Sequence, residues 1–458
     1  MKKQEVTFVL FGGSGDLVRR KLVPAFSNLV QEGRIREDST IIGVSRKNWN
    51  SEEYKKFLVG SVSNNEKDNI KKLDIRFFQG DFSNKKLEGL RELIEKCERK
   101  GCNRIYYLAT SFKFFADIIE ELKEYRLHKK NDGFTRIVFE KPFGNDLKSS
   151  ELLDKKIHGV FNEKDVFRLD HYLAKETVQN LNVLKFTNPI LYSTLNSKYV
   201  GNIQIIVDED MGVGDRIGFY NDTGAIKDMI QSHLLQILSL ILMEEPLSFD
   251  GEKIHDEKIK ILKNLEILES KYHLLGQYES YLDEAKKVGL EGNNVETFAR
   301  IVLNCKTKRW DGVELILRTG KKLKKKYGQI KINFKPIPDN ISKNFTGIKN
   351  NKIVINIYPK QDIDILMNTN TPEQNNEVKP VKFEFCRECE FGPNTTNEYS
   401  VLLNEIIRGD KMLFTRSDEV KESWKIVEKI EKIRDKIKFV RYKDGGEPEN
   451  AISKNPCF

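Results

Sequence analysis

VTFVLFGGSGDLVRRKL, residues 6–22, is the stretch that decides the architecture. Val6–Phe11 is a short apolar run and reads as a buried strand. Gly12, Gly13 and Gly15 follow at once, and a helical pattern comes after them. Glycines placed here let the backbone turn tightly and approach a pyrophosphate, whose charge then sits at the start of the next helix. The third glycine of the usual GxGxxG fingerprint is missing. By itself the stretch therefore reads either as a phosphate-cradling turn or as a plain strand, turn and helix.

The following 150 residues repeat the same unit. Thr40–Val44, Ile75–Phe78, Arg104–Leu108, Thr135–Phe139 and Val166–Leu169 are short apolar runs separated by amphipathic segments such as Phe112–Tyr125. Strands alternating with helices predict a doubly wound parallel sheet, Rossmann-like in build. After about residue 180 the pattern changes. A long helix is expected over Ala225–Met243. Two strictly alternating runs follow, with Ile330, Ile332 and Phe334 on one face and Ile353, Ile355 and Ile357 on another. Period-two alternation predicts a mostly antiparallel sheet with one packed and one wet face. The expected division is residues 1–177 for nucleotide binding and 178–458 for an α+β domain, to which the family likeness given below assigns substrate binding and dimerisation. Asp418–Phe439 reads as a long surface helix, and the tail beyond Tyr442 as mobile.

At 458 residues the chain exceeds what one core usually serves, which agrees with two domains. The net charge of +9 comes from 78 basic and 69 acidic side chains of interspersed sign. That is a solvated surface with a mild bias toward anionic ligands, not the single basic stripe of a nucleic-acid binder. The N-terminus shows no signal-peptide pattern. The strongest apolar stretch, Leu234–Met243, is half the ~20 residues that span a bilayer. A cytoplasmic protein without membrane or nucleic-acid partners is expected. Six cysteines, irregularly spaced, do not suggest a disulfide framework. Cys386 and Cys389 form one CxxC with no second pair at zinc spacing, and read as thiols at a strand end; no metal set is expected.

Several motifs, in order, give the chain a family likeness. GxxGDLxxRKLxPA is matched by Gly12, Gly15, Asp16, Leu17, Arg20, Lys21, Leu22, Pro24 and Ala25. EKPFG stands at Glu140–Gly144, RLDHYLAKE at Arg168–Glu176, GAIKDMIQSHLLQ at Gly224–Gln236, and LLNEIIRGDKMLFTRSDEV at Leu402–Val420. This set resembles the glucose-6-phosphate dehydrogenase family. The likeness implies oxidation of D-glucose 6-phosphate at C1 to the 6-phosphoglucono-δ-lactone, the entry step of the oxidative pentose phosphate pathway. It also implies a homodimer or dimer of dimers.

Residue roles follow from the resemblance. His233 becomes the general base, and Asp170 the acid that orients it. Without the likeness, a lone histidine on an apolar helix reads as a core residue. Dense cations and hydroxyls in Asp170–Lys175 suit a phosphorylated ligand; His171, Tyr172 and Lys175 are assigned the 6-phosphate. Lys141, Glu209, Asp228, Lys321 and Lys326 are assigned to the sugar, with Lys322, Lys324 and Lys325 left as an exposed basic loop. The cofactor falls to Gly12, Gly13, Ser14, Gly15, Asp16, Leu17, Arg46, Ala109 and Lys141. Arg46, just past the second strand where no acid stands, favours NADP over NAD, with NAD as a secondary acceptor. Two departures stand out. Thr110, Ser111 and Phe112 replace the family's usual residues after Ala109, and Tyr358 stands where many members carry Gln. His128 and His158 read as solvated, and His255 and His273 as polar-surface residues without partners. The rivals are a relative acting on another sugar and a nucleic-acid binder using Lys321–Lys326.

Overall fold

The computed structural model describes residues 3–82, 87–130, 132–290, 294–372, 376–392 and 397–449. The chain forms two compact units. The first comprises Met1–Ala174 with two later segments, Ser248–His255 and Thr395–Lys421; the second comprises Lys175–Leu247, Asp256–Asn394 and Glu422–Phe458. The two later segments were read from sequence as part of the second domain.

The first unit is built on β1 (Val6–Phe11), β2 (Thr40–Ser45), β3 (Asp74–Gln79), β4 (Asn103–Leu108), β5 (Thr135–Phe139) and β6 (Val166–Leu169). They lie parallel in the order β6-β5-β4-β1-β2-β3. Every residue of β1 is buried, as a central parallel strand covered on both faces requires. The order reverses at β1, where β4 and β2 flank it, and the crevice at such a switch point is where nucleotides bind. A short strand, Phe414–Thr415, pairs antiparallel outside β6. It is held by the helix Glu398–Arg408, whose Tyr399, Leu402, Leu403, Ile406 and Ile407 form one apolar stripe. That stripe packs with Phe26, Leu29 and Val30 of the helix Val23–Gln31. Each such buried aliphatic side chain is worth roughly 1.5–3 kcal/mol, which is why this late segment belongs to the first core.

The second unit is a ten-stranded sheet. Its strands are β7 (Val200–Asp208), β8 (Leu265–Ile267), β9 (Leu274–Tyr278), β10 (Phe298–Cys305), β11 (Glu314–Gly320), β12 (Tyr327–Phe334), β13 (Lys352–Tyr358), β14 (Ile363–Asn370), β15 (Val378–Phe385) and the C-terminal strand Lys438–Tyr442. The order is β15-β14-β13-β12-β7-β11-β10-β9 and then the C-terminal strand, with β8 on β10. Only β7–β11 and β9 with the C-terminal strand pair in parallel. The alternation read in sequence is present: Ile330 and Ile332 are buried, while Lys331 between them and Asn333 after them are not.

Three local expectations are corrected. The helix expected over Asp418–Phe439 is Ser417–Ile433; KFVRY, residues 438–442, becomes a strand because Val440 and Tyr442 are buried at period two. Residues 443–449 are tied down, with Gly445 N donating to Lys322 O and Glu447 paired to Arg318; the mobile tail read at 450–458 lies outside the described residues. Cys386 and Cys389 are not plain thiols but a disulfide. The chain leaves β15 directly into the helical turn Arg387–Phe391, which brings the two Cα atoms to 5.3 Å, within bridging range. Among the described residues no helix is long and apolar enough to cross a membrane.

Candidate active site

The glycine turn is shaped by close approach. Gly12 has φ +83°, and a Cβ there would lie 2.4 Å from Ala109 O, so only glycine fits. The amides of Gly12 and Gly13 both donate to Val44 O, at 2.9 and 3.1 Å, and Gly15 N donates to Gly12 O at 2.8 Å. Beneath the turn, buried Tyr54 donates to Gly13 O at 3.1 Å, and its ring fills the space a Cβ on Gly43 would need. Tyr54 is a supporting residue that sequence reasoning missed; the glycine in IIGVS was the available signal. Ser14 belongs to the same turn, and Leu17 to the helical start that follows it. Asp16 is exposed and paired with Arg19 and Arg20, and its hydrogen bond from Arg19 holds its carboxyl below the usual range. Arg46 stands exposed immediately beyond β2, and Ala109 immediately beyond β4. The amides of Gly12, Gly13 and Gly15 thus hold the turn itself, at the end of β1 where the strand order reverses.

At the ends of β5 and β6 the acidic and basic groups gather. Glu140 follows β5, and Tyr107 donates to its Oε1 at 2.5 Å; Tyr399, from the late helix, donates to it as well. Burial pushes the Glu140 carboxyl up to about 7 against the pull of both phenols and Lys141. Lys141 is next, joined to Pro142 by a cis peptide. Asp170 caps β6 and is buried; its Oδ1 accepts from Tyr172 N at 3.0 Å. That bond closes the turn and sets Tyr172, also buried, against the His171 ring at 4.8 Å.

In the second unit Lys175 is the N-cap of the helix Glu176–Phe186, with its ammonium 5.5 Å from the Tyr358 ring centre. Tyr358 thus meets the lysine assigned to phosphate, at a position where the family likeness was broken. His233 and Asp228 lie on a continuous buried helical run whose first part, Ile226–Leu234, is wound as a π-helix before the α-helix Leu235–Leu242. Wide turns of this kind concentrate at functional sites. Asp228 is 3.7 Å from Lys321 Nζ and 4.0 Å from Arg216. Lys321 also donates to Glu209, just past β7, and its ammonium faces the buried Tyr220 ring at 5.7 Å. The structure therefore brings Lys321, Glu209 and Asp228 together. Lys326 stands exposed before β12 and, among the described residues, joins no ion pair. Lys322 pairs with Glu284 and Asp444 at 2.9 and 3.0 Å and is structural.

Two residues start the His233 helix: Gly224, read from sequence only as the first position of its motif, and Glu296, which sequence reading missed. Gly224 has φ +63° and ψ −178°, and a Cβ there would meet Glu296 Oε1 at 2.3 Å. The Glu296 carboxylate accepts from Ile226 N at 3.1 Å and is neutralised by Arg434, so it caps the helix. Two histidine readings are corrected. His255 is fully buried, with Nδ1 2.6 Å from Glu419 and Nε2 3.1 Å from Lys411 O. His273 is buried between Leu268 O and Val302 N, and burial lowers its basicity.

A parallel sheet with a glycine cradle at its switch point, followed by a unit bearing a buried histidine, carboxylates and a lysine, defines a nucleotide-dependent oxidoreductase. Residues 9–180 match the family described as the NAD binding domain of glucose-6-phosphate dehydrogenase, and residues 182–454 match its C-terminal domain. The glucose-6-phosphate 1-dehydrogenase of Borreliella burgdorferi is 36% identical over 99% of this chain and 97% of its own. That of Bacillus subtilis is 34% identical over 94% and 91%. A glucose-6-phosphate dehydrogenase solved with its substrate glucose 6-phosphate superposes with a TM-score of 0.89 at 30% identity, covering 98% of this chain and 96% of that one. The chain belongs to the glucose-6-phosphate dehydrogenase family. It is an oxidoreductase, and a pyridine nucleotide is its cofactor class.

Proposed function

We propose that the protein oxidises D-glucose 6-phosphate at C1 to 6-phospho-D-glucono-1,5-lactone and reduces NADP, as the entry step of the oxidative pentose phosphate pathway. The observation that carries the reading is the end-to-end match to a substrate-bound family member. The nucleotide, when bound, accepts the hydride. His233, as general base, takes the C1 hydroxyl proton. Asp170 is the acid that serves this base. Lys321, already holding Glu209 and Asp228, arranges two acceptors for sugar hydroxyls around one cation. His171, Tyr172 and Lys175 supply donors for the 6-phosphate, and Lys141 serves sugar and nucleotide. Lys326 remains an assigned substrate contact.

NADP is favoured because Arg46 follows β2 where an NAD-preferring fold places an acid. A cytoplasmic setting and a homodimer belong to the same reading. Exposed Met367, Phe383 and Phe385 on β14 and β15 support association through the large sheet. The test is initial-rate absorbance at 340 nm with glucose 6-phosphate, comparing NADP with NAD. Turnover with NADP well above NAD is expected. Folded protein inactive with both would refute the reaction, and equal rates would refute the cofactor preference. Unphosphorylated glucose should compete weakly, because it leaves the phosphate donors unused.

A further inference from the structure

The disulfide flanks an arginine that pairs with the residue following Lys175. Cys386 follows the last residue of β15, and Cys389 is exposed on the turn that comes next. Between them Arg387 turns inward, its side chain only 16% exposed. Its Nε and a terminal nitrogen both lie 2.5 Å from Glu176 Oε1, and its other terminal nitrogen donates to Gly392 O at 3.1 Å. Glu176 is the first residue of the helix that Lys175 caps. The bridge therefore closes a four-residue ring, Cys386 to Cys389, around an arginine that fastens the Lys175 end of that helix. No step of the oxidation uses these cysteines.

We propose that Cys386–Cys389 is a thiol–disulfide exchange site whose oxidised form fixes Lys175 for the 6-phosphate and whose reduction weakens substrate binding. The proposal rests on the function assigned above. The co-reactant is a dithiol. Its first thiolate attacks the exposed Cys389 sulfur, forming a mixed disulfide and breaking the protein S–S bond. Cys386 leaves as a thiolate, its sulfur already accepting from Cys389 N at 3.2 Å, and is then protonated. The second thiol of the reductant attacks its own sulfur in the mixed disulfide and releases Cys389. Two electrons and two protons pass to the protein, and the reductant becomes a disulfide. A bond of this kind in a reducing compartment is a sensing bond more often than a staple.

Once the ring opens, Arg387 gains backbone freedom and its pairing with Glu176 is diluted. Partly exposed ion pairs contribute up to about 1 kcal/mol, so the KM for glucose 6-phosphate should rise roughly threefold to fivefold. The experiment equilibrates the full-length protein with oxidised or reduced dithiothreitol and counts alkylated Cys386 and Cys389 by mass spectrometry. It then measures kcat and both KM values in each state. The expected result is a raised KM for glucose 6-phosphate on reduction, with kcat and the KM for NADP unchanged. Cys386→Ser/Cys389→Ser should show the raised KM in both states and no redox response. Arg387→Ala should raise KM without opening the bridge. An unchanged KM with the bond demonstrably opened would overturn the proposal, as would free thiols at both positions in the oxidised protein. Equal loss of kcat would overturn it in favour of general loosening. Absence of turnover in every state would sink the functional reading as well, which separates the two failures.

Discussion

Glu140 carries a carboxyl whose proton is held more tightly in the folded chain than in the unfolded one. Its value rises from 4.5 to about 7, chiefly through burial. The folded state thus binds more protons between those values, and the stability this gives is full below pH 4.5 and is lost as pH rises through 7. Glu140→Gln, which imitates the protonated acid, should match wild type in thermal melts at pH 5. At pH 8 it should be more stable, by about 1–3 kcal/mol; a pH-independent difference would contradict this. His233→Asn addresses the chemistry itself. Removing a general base costs about 100- to 10,000-fold in rate, so kcat should collapse while glucose 6-phosphate protects the protein from heat as before. Equal loss of protection would make His233 structural. That residue's type was legible in sequence only through its motif, because burial alone describes a core histidine as well as a base.

Elements were read more securely than their winding. The strands expected at Val6–Phe11, Thr135–Phe139 and Val166–Leu169 have those same bounds, since fully buried parallel strands announce themselves as apolar runs. The helix carrying His233 was expected as ordinary α-helix. Its π-helical stretch Ile226–Leu234 leaves no mark in composition, because every side chain but Lys227 is buried whichever way the backbone winds. What sets its start is Gly224, in a backbone region essentially reserved for glycine. Gly224→Ala should lower stability by about 1–3 kcal/mol in urea unfolding and reduce kcat more than it raises KM, because Glu296 must move from the helix start. The disulfide was missed for a related reason. A single CxxC after an alternating strand is compatible with thiols, metal or a bridge, and only the tight turn at Arg387 selects among them.

At the scale of the molecule, the division into a nucleotide sheet and a large antiparallel sheet followed from the change of period near residue 180. The return of Ser248–His255 and Thr395–Lys421 to the first unit did not. Their attachment is a buried long-range network: His255 with Glu419, and Lys411 with the carbonyls of Val166 and Glu163. Such pairing between residues 164 positions apart has no local signature. His255→Ala would remove one buried partner of the Glu419 carboxylate, at a cost of about 1–3 kcal/mol. Its urea midpoint should fall accordingly, and a shift under 1 kcal/mol would show the pair to be dispensable. The same topology bears on how the protein is made. A ribosome releases β1 to β6 long before it reaches Phe414, so the first sheet emerges without its outer strand and with the apolar side of the helix Val23–Gln31 uncovered. The nascent nucleotide unit must wait for more than two hundred further residues to be synthesised before its outer strand arrives.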